Sequence, residues 1–242
     1  MAERGVMAPG VTGPGVTGPG VTGPGVIRAR SLSSVATWVF DLDNTLYPHS
    51  LRLFDQVSAK ITAFVMRTLG VGEDEAERLR SLYWREHGTT LAGLMALHAL
   101  DPEPFLDDVH DIDLAAVQPD RRLAAAIAAL PGRKIVYTNG SRRHAERVSG
   151  ALGLLPLFDA LYGVEDAGYT PKPHRAAFET VFAADGFEPA RAAMVEDDQR
   201  NLAVPAEMGL ATIWHPGAQT DPPAPHVHHV AVDLAAFLSE LP

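Results

Sequence analysis

Two hydrophobic periods divide the chain. From Ser50 onward, Leu53, Val57, Ile61, Phe64, Val65 and Leu69 recur at three- and four-residue steps, the spacing that lines one face of a helix with apolar side chains. Gly70 supplies a stop signal. Residues 73–87 predict a second helix, with acidic residues in its first turn where they complement the helix dipole. Residues 90–100 predict a third, with Leu91, Leu94, Met95 and His98 on one side, broken by Asp101-Pro102. Residues 104–109 predict a short fourth. Elsewhere the apolar positions form short uninterrupted runs at 38–40, 134–138, 160–163, 192–195 and 211–214. Helical stretches at 121–130, 142–152, 175–184, 202–208 and 233–238 lie between and after them. Short apolar runs read as buried strands, and the alternation of strand and helix argues for an α/β fold with a parallel sheet.

The first residues differ in character. Gly-Val-Thr-Gly-Pro recurs from Gly10, Gly15 and Gly20. Glycine and proline at that density oppose helix and regular sheet, and valine alone supplies no core, so residues 1–34 are expected to form a disordered tail. The 242-residue chain is 46% hydrophobic, an ordinary globular value and enough for one large domain or a core with an inserted unit. A formal net charge of −10 without a lysine/arginine cluster disfavours a nucleic-acid polymer as partner. A small phosphate ester is compatible with it, because local charge can override the overall balance. No apolar run reaches the roughly 18–20 residues of a membrane span, and no basic-then-apolar leader opens the chain. The chain has no cysteine, which excludes disulfides and thiolate metal sites and fits a cytoplasmic location.

Chemistry-bearing residues fall where the predicted strands end. Ligands of open parallel sheets gather at the carboxyl ends of the strands. Asp41, Asp43, Thr138, Glu196 and Asp197 occupy such ends, and Lys172 lies in a loop after one. Asp41 and Asp43 are spaced i, i+2, which on a strand turns both carboxylates to one side. Two like charges that close require a cation or a proton between them. That suits a metal together with a nucleophile and an acid/base group; a polar turn would use the same residue types. Thr138-Asn139-Gly140 equally suits a strand-to-helix turn. Pro171 and Pro173 fix the backbone around Lys172. His226 and His228 could face one way on a strand and hold a metal, but a loop leading to a final strand and helix is the expected arrangement.

Four segments occur in a telling order: Asp41-Leu42-Asp43-Asn44-Thr45, Thr138-Asn139, Lys172 between prolines, and Glu196-Asp197 with Asn201 beyond. From about residue 35 to its C-terminus the chain resembles the haloacid dehalogenase superfamily of phosphotransferases. Leu46-Tyr47-Pro48 after the first segment, and Tyr83 with Gly88-Thr89-Thr90-Leu91, are similar to its pyrimidine 5′-nucleotidase-like branch. The resemblance implies a Rossmann-like core over 35–48 and 119–242, with a small helical cap over 49–118 inserted between the first and second core strands. It implies a Mg²⁺-dependent phosphomonoesterase that forms an aspartyl-phosphate. The substrate would be a pyrimidine nucleoside monophosphate, or another small ester such as a sugar phosphate; the alternative of a different class is a catalytically inactive binding protein on the same fold. Asp41 would be the nucleophile, and Asp43 the general acid and then the base. Thr138 and the Asn139 main chain would hold phosphate oxygens, and Lys172 would neutralise the phosphate and keep Asp41 ionised. The metal would take the Asp41 and Asp197 carboxylates and the Asp43 main-chain carbonyl, with Glu196 acting through water. Relatives often have Asp-Asp followed by Ser where this chain has Glu196-Asp197-Asp198; alignment on Asn201 favours Asp197 as the direct ligand. Tyr83, Thr89 and Thr90 would face the substrate from the cap. The competing arrangement puts Tyr83 in the cap core and the threonines at the start of the third helix.

Overall fold

The computed structural model describes residues 30–241; the glycine/proline repeats lie outside them. Strands β1 (Thr37–Phe40), β2 (Arg133–Tyr137), β3 (Ala160–Tyr162), β4 (Ala192–Glu196), β5 (Ala211–Trp214) and β6 (His229–Val230) form one parallel sheet in the order β3-β2-β1-β4-β5-β6. The chain steps outward from β1 to β2 and β3, then returns past β1 to β4. In open α/β sheets, ligands bind in the crevice at such a reversal.

Alternate strand residues are buried on opposite faces. Trp38, Phe40, Val136, Val195 and Ile213 share a core with α5 (Arg121–Ala129), α6 (Arg142–Ala151) and α9 (Leu234–Ser239). Val39, Ile135, Tyr137 and Met194 share the other with α7 (Arg175–Asp185) and α8 (Arg200–Met208). Both faces are covered, which is why these strands read as unbroken apolar runs. Asp120, Ser141 and Asp233 accept hydrogen bonds from N–H groups in the first turns of α5, α6 and α9, which fixes where each helix starts.

Between β1 and β2 the chain forms α1 (Leu53–Leu69), α2 (Glu73–His87), α3 (Thr90–His98) and α4 (Pro102–Val109). Phe64, Val65, Tyr83, Leu94, Phe105 and Val109 make a separate cap core. Leu53 and Val57, at the start of α1, pack on the sheet's core instead, so that helix bridges the two units. The fourth helix begins two residues before its predicted start, because Asp101 accepts the Glu103 N–H and Pro102 suits the first helical turn. α3 lies close on α2 at Gly93, where a Cβ would stand 2.4 Å from Tyr83 Cγ.

Two residues of the segment expected to form a tail make contacts with the rest of the fold. Leu32 packs on the sheet's core, and the Arg30 carbonyl meets His229 Nε2 at 2.6 Å. The three C-terminal histidines have separate partners: His226 meets the Gln199 carbonyl, His228 the Thr212 hydroxyl and His229 the Arg30 carbonyl. They tie down the sheet edge rather than converge on one point. Among the described residues, no helix is long and apolar enough to cross a membrane.

Candidate active site

β1 delivers Asp41 to the reversal point. Its N–H continues the ladder onto the Val195 carbonyl at 2.9 Å. The chain then leaves the sheet, and Asn44 turns it with a φ of 61°, a left-handed geometry that asparagine tolerates. The strand therefore ends before Asp41, and a turn rather than the strand pleat relates the two aspartates. Both line one cavity of about 570 Å³ between the sheet's carboxyl edge and the cap, a size typical of small-molecule sites.

Different partners hold the two carboxylates. Asp41 Oδ1 accepts from Lys172 Nζ at 2.7 Å, and Oδ2 accepts the Thr45 hydroxyl at 3.0 Å. Asp43 Oδ1 accepts the Tyr47 hydroxyl at 2.6 Å and meets His144 Nε2 at 3.0 Å. Its Oδ2 receives a single long bond, 3.4 Å, from the Thr138 hydroxyl. Burial, reinforced by Glu196, pushes Asp41 up to about 7 despite Lys172. Burial opposes ionisation of Asp43 as well, but the bonds and charge of His144 and the Tyr47 hydroxyl hold it down at about 2. One cavity thus contains two carboxyl groups whose surroundings drive their protonation apart, the condition for dividing acid and base roles.

Lys172 is 1% exposed. Its ammonium donates to Asp41, to Glu196 Oε2 at 2.7 Å and to the Tyr137 carbonyl at 3.0 Å, which satisfies its three protons. Burial disfavours the charge, but the two carboxylates more than offset this and hold the lysine above its usual range. Asn139 positions the loop: its side-chain oxygen accepts the Lys172 N–H at 2.7 Å and its amide donates to the Lys172 carbonyl at 3.1 Å. Thr138 is buried and accepts the Gly140 N–H at 2.9 Å.

Asp41, Glu196 and Asp197 each place a carboxylate oxygen within 4.8 Å of the others. Lys172 bonds two of them; Asp197 has His49 Nε2 at 3.9 Å. Burial, then Glu196 and Asp41, push Asp197 up to about 9. Three carboxylates around one buried ammonium leave negative charge that a hard divalent cation would neutralise, and oxygen ligands are what Mg²⁺ prefers. The donor set therefore fits that ion. Glu196 Oε2 is committed to Lys172 and Oε1 accepts the Asp198 N–H at 3.3 Å. The Asp43 side chain lies outside this acidic group.

Residues 35–209 match the haloacid dehalogenase-like hydrolase family. The chain belongs to that family. It is 28% identical over 193 residues to Phosphate metabolism protein 8 of Saccharomyces cerevisiae, a match covering 73% of this chain. The chain spans about 60% of that relative's length. Solved structures of the same fold include the haloacid dehalogenase-type hydrolase YfnB of Bacillus subtilis, bound to magnesium (17% identical, 84% of this chain and 98% of that one, TM-score 0.55). Another is a protein described as a predicted phosphoglycolate phosphatase from Haemophilus somnus (18%, 86% and 98%, TM-score 0.57). A third is a dehalogenase in an intermediate complex (16%, 85% and 96%, TM-score 0.55).

The cap of this haloacid dehalogenase-like hydrolase corrects one expectation. Thr89 and Thr90 line the cavity; Tyr83 does not. Tyr83 is buried in the cap core, its hydroxyl 2.8 Å from His98 Nε2. Thr89 also caps α3, accepting the Ala92 N–H at 3.1 Å. The next residue, Trp84, is turned about 100° around the helix and lines the cavity instead. The Arg200 guanidinium, from the core, lies 3.8 Å from its ring centroid and also bonds Asp198. The sequence assigns no site role to Tyr47, which it marks only as part of a motif, or to His144, His110, Trp84 and Arg200. Tyr47, four residues after Asp43, was the one with a local signal. The others meet the site only through tertiary packing.

Proposed function

We propose that this protein is a Mg²⁺-dependent phosphomonoesterase that works through an aspartyl-phosphate, with a pyrimidine nucleoside monophosphate as its substrate. The observation that carries the reading is the pair Asp41 and Asp43, in one cavity but in opposed environments, beside an acidic group suited to a divalent cation. An Asp41 carboxylate oxygen forms a bond to phosphorus as the ester P–O bond breaks. Asp43 Oδ2, the less committed oxygen, gives its proton to the departing alkoxide. His144 favours the ionised form of Asp43, while an anionic phosphoryl group arriving beside it favours the protonated one. In the second half Asp43 takes a proton from water, whose oxygen attacks phosphorus and releases phosphate and free Asp41. Lys172, Thr138 and the Asn139 main chain would offset the phosphoryl charge. Asp41, Asp197 and the Asp43 carbonyl would hold Mg²⁺, with Glu196 in support; when bound, the ion supplies charge neutralisation at the phosphoryl oxygens.

Carbon–halogen displacement, the chemistry of some relatives by fold, has no use for an acid/base group at Asp43, and a carboxylate there with one lightly committed oxygen facing the cavity suits the phosphatase. The nucleotide assignment rests on the motifs at 41–48 and 83–91 and on the apolar part of the cavity lining. There Phe54, Val57, Ile61 and Trp84 offer apolar and aromatic surface for a base. A smaller ester such as a sugar phosphate would leave that surface uncovered. The test is phosphate release from nucleoside monophosphates and sugar phosphates, with Mg²⁺ and with chelator, by the wild type and Asp41→Asn. Mg²⁺-dependent release preferring UMP or CMP, abolished in Asp41→Asn, is expected. A preference for sugar phosphates would discard the substrate and keep the chemistry, and no release from any ester would discard both.

A further inference from the structure

Beside the cavity lies a pair of histidines, one of them in its lining, that the proposed phosphoryl transfer leaves without a full role. His144, on α6, is buried and holds Asp43. His110, just past the end of α4, stacks on it with ring centroids 4.4 Å apart and planes at 22°. His110 is 9% exposed and lines the cavity together with Thr138, Asn139 and Gly140. Its backbone is fixed: the carbonyl accepts from Arg147 at 2.8 Å, and the N–H donates to the Leu106 carbonyl at 3.3 Å.

The two ring nitrogens have different surroundings. Nδ1 lies 3.1 Å from the Ser141 hydroxyl, which already accepts the His144 N–H at 3.2 Å as the cap of α6. Ser141 is buried, so its own proton needs an acceptor. Nδ1 provides one. With the hydroxyl donating to Nδ1, the neutral ring carries its proton on Nε2. Burial, then the neighbouring His144, hold His110 down at about 3, so the ring is neutral at physiological pH. Nε2 makes no hydrogen bond among the described residues. It stands beside Gly140, where a Cβ would come within 3.2 Å of it. The missing side chain at Gly140 leaves room around Nε2 at the turn expected to hold phosphate.

We propose that His110 is a substrate-contacting residue whose Nε2–H donates a hydrogen bond to an oxygen of the bound phosphoester. The inference rests on the phosphomonoesterase reading. A neutral donor suits the position, because a cation there would hold Asp43 ionised at the moment it has to carry a proton.

Two substitutions separate this role from a packing role. His110→Asn keeps a polar atom near Nδ1 for Ser141 and removes the donor at Nε2. His110→Gln reaches the Nε2 position with an amide N–H. The readouts, on the full chain with Mg²⁺, are kcat and KM for 4-nitrophenyl phosphate, the inhibition constant of inorganic phosphate, and the melting temperature. The expected result is a loss of kcat/KM of roughly 10- to 100-fold in His110→Asn, at an unchanged melting temperature, with about tenfold recovered in His110→Gln. Wild-type kinetics in His110→Asn would overturn the proposal alone. So would equal losses in both variants with a lowered melting temperature, since that is the signature of packing. A wild-type protein that neither hydrolyses any ester nor binds phosphate would overturn the phosphomonoesterase reading with it.

Discussion

Replacing Lys172 by methionine removes the ammonium and keeps most of the side chain's length. The structure sets the size of the effect. Nζ lies 2.7 Å from both Asp41 and Glu196, and at an effective dielectric of about 20 each contact is worth about 6 kcal/mol of gross attraction. Much of that offsets the desolvation of the buried charges, so the sum is not a net stability. Removing one partner of such a group leaves uncompensated buried charge and costs about 3–5 kcal/mol. The carboxylates escape part of this by binding protons. Asp41 is already pushed up to about 7 with Lys172 in place, and without it the group rises further. The loss should therefore be largest in alkaline solution and shrink as pH falls. The assay is urea unfolding followed by tryptophan fluorescence at about pH 8.5 and about pH 5.5, in chelator and in Mg²⁺. We expect about 3–5 kcal/mol lost at the higher pH in chelator, less at the lower pH, and partial restoration by Mg²⁺. Hydrolysis should fall by at least about 100-fold, because a protonated Asp41 is a poor nucleophile. A variant as stable as the wild type at the higher pH in chelator would refute the claim that Lys172 makes the acidic group tolerable.

In the wild type, Asp41 and Asp197 are pushed up to about 7 and about 9, so the native state keeps protons that the unfolded chain gives up near pH ~4. In chelator the melting temperature should fall as pH rises from about 5 to about 9, and Mg²⁺ should flatten the slope; a flat profile in chelator would count against the acidic group as a cation site. Asp43, held at about 2, has the opposite sign: it contributes stability that is present above about pH 4 and lost as pH falls toward about 2. Gly93→Ala places a Cβ 2.4 Å from Tyr83 Cγ and should cost about 1–3 kcal/mol in urea unfolding; an unchanged midpoint would mean that α2 and α3 part without cost. A double-mutant cycle of Trp84→Ala and Arg200→Ala, read on KM, should give a coupling of about 0.5–1 kcal/mol from their stacked contact, whereas zero coupling would remove that contact from the account of the cap.

The sheet and the cap were legible because burial leaves a simple trace. Trp38-Val39-Phe40 is unbroken because both faces of β1 are covered, and the steps from Leu53 to Leu69 are those of a helix with one wet face. The convergence of Asp41, Asp43, Thr138, Asn139, Lys172, Glu196 and Asp197 on one cavity was legible because each ends or follows a strand whose carboxyl end meets the others. What escaped depends on rotation and distance. Tyr83 and Trp84 are adjacent in sequence, and only the seating of α2 on Gly93 decides which of them faces the core and which the cavity. His144 reaches Asp43 from the first turn of α6, and His110 reaches His144 from beyond the end of α4. Nothing local marks either contact. The contact of Arg30 escaped for a similar reason, since its partner His229 lies near the far end of the chain.

The central claim is that Asp41 carries the phosphoryl group. The direct measurement is an acid-quenched single turnover with phosphorus-labelled 4-nitrophenyl phosphate and Mg²⁺, comparing the wild type, Asp43→Asn and Asp41→Asn, with the labelled peptide mapped by mass spectrometry. In Asp43→Asn the aspartyl-phosphate should form with this good leaving group and persist for want of a base to activate water, with the label on Asp41 and none in Asp41→Asn. Turnover by the wild type with no protein-bound label in Asp43→Asn, or with label at any residue other than Asp41, would contradict the account.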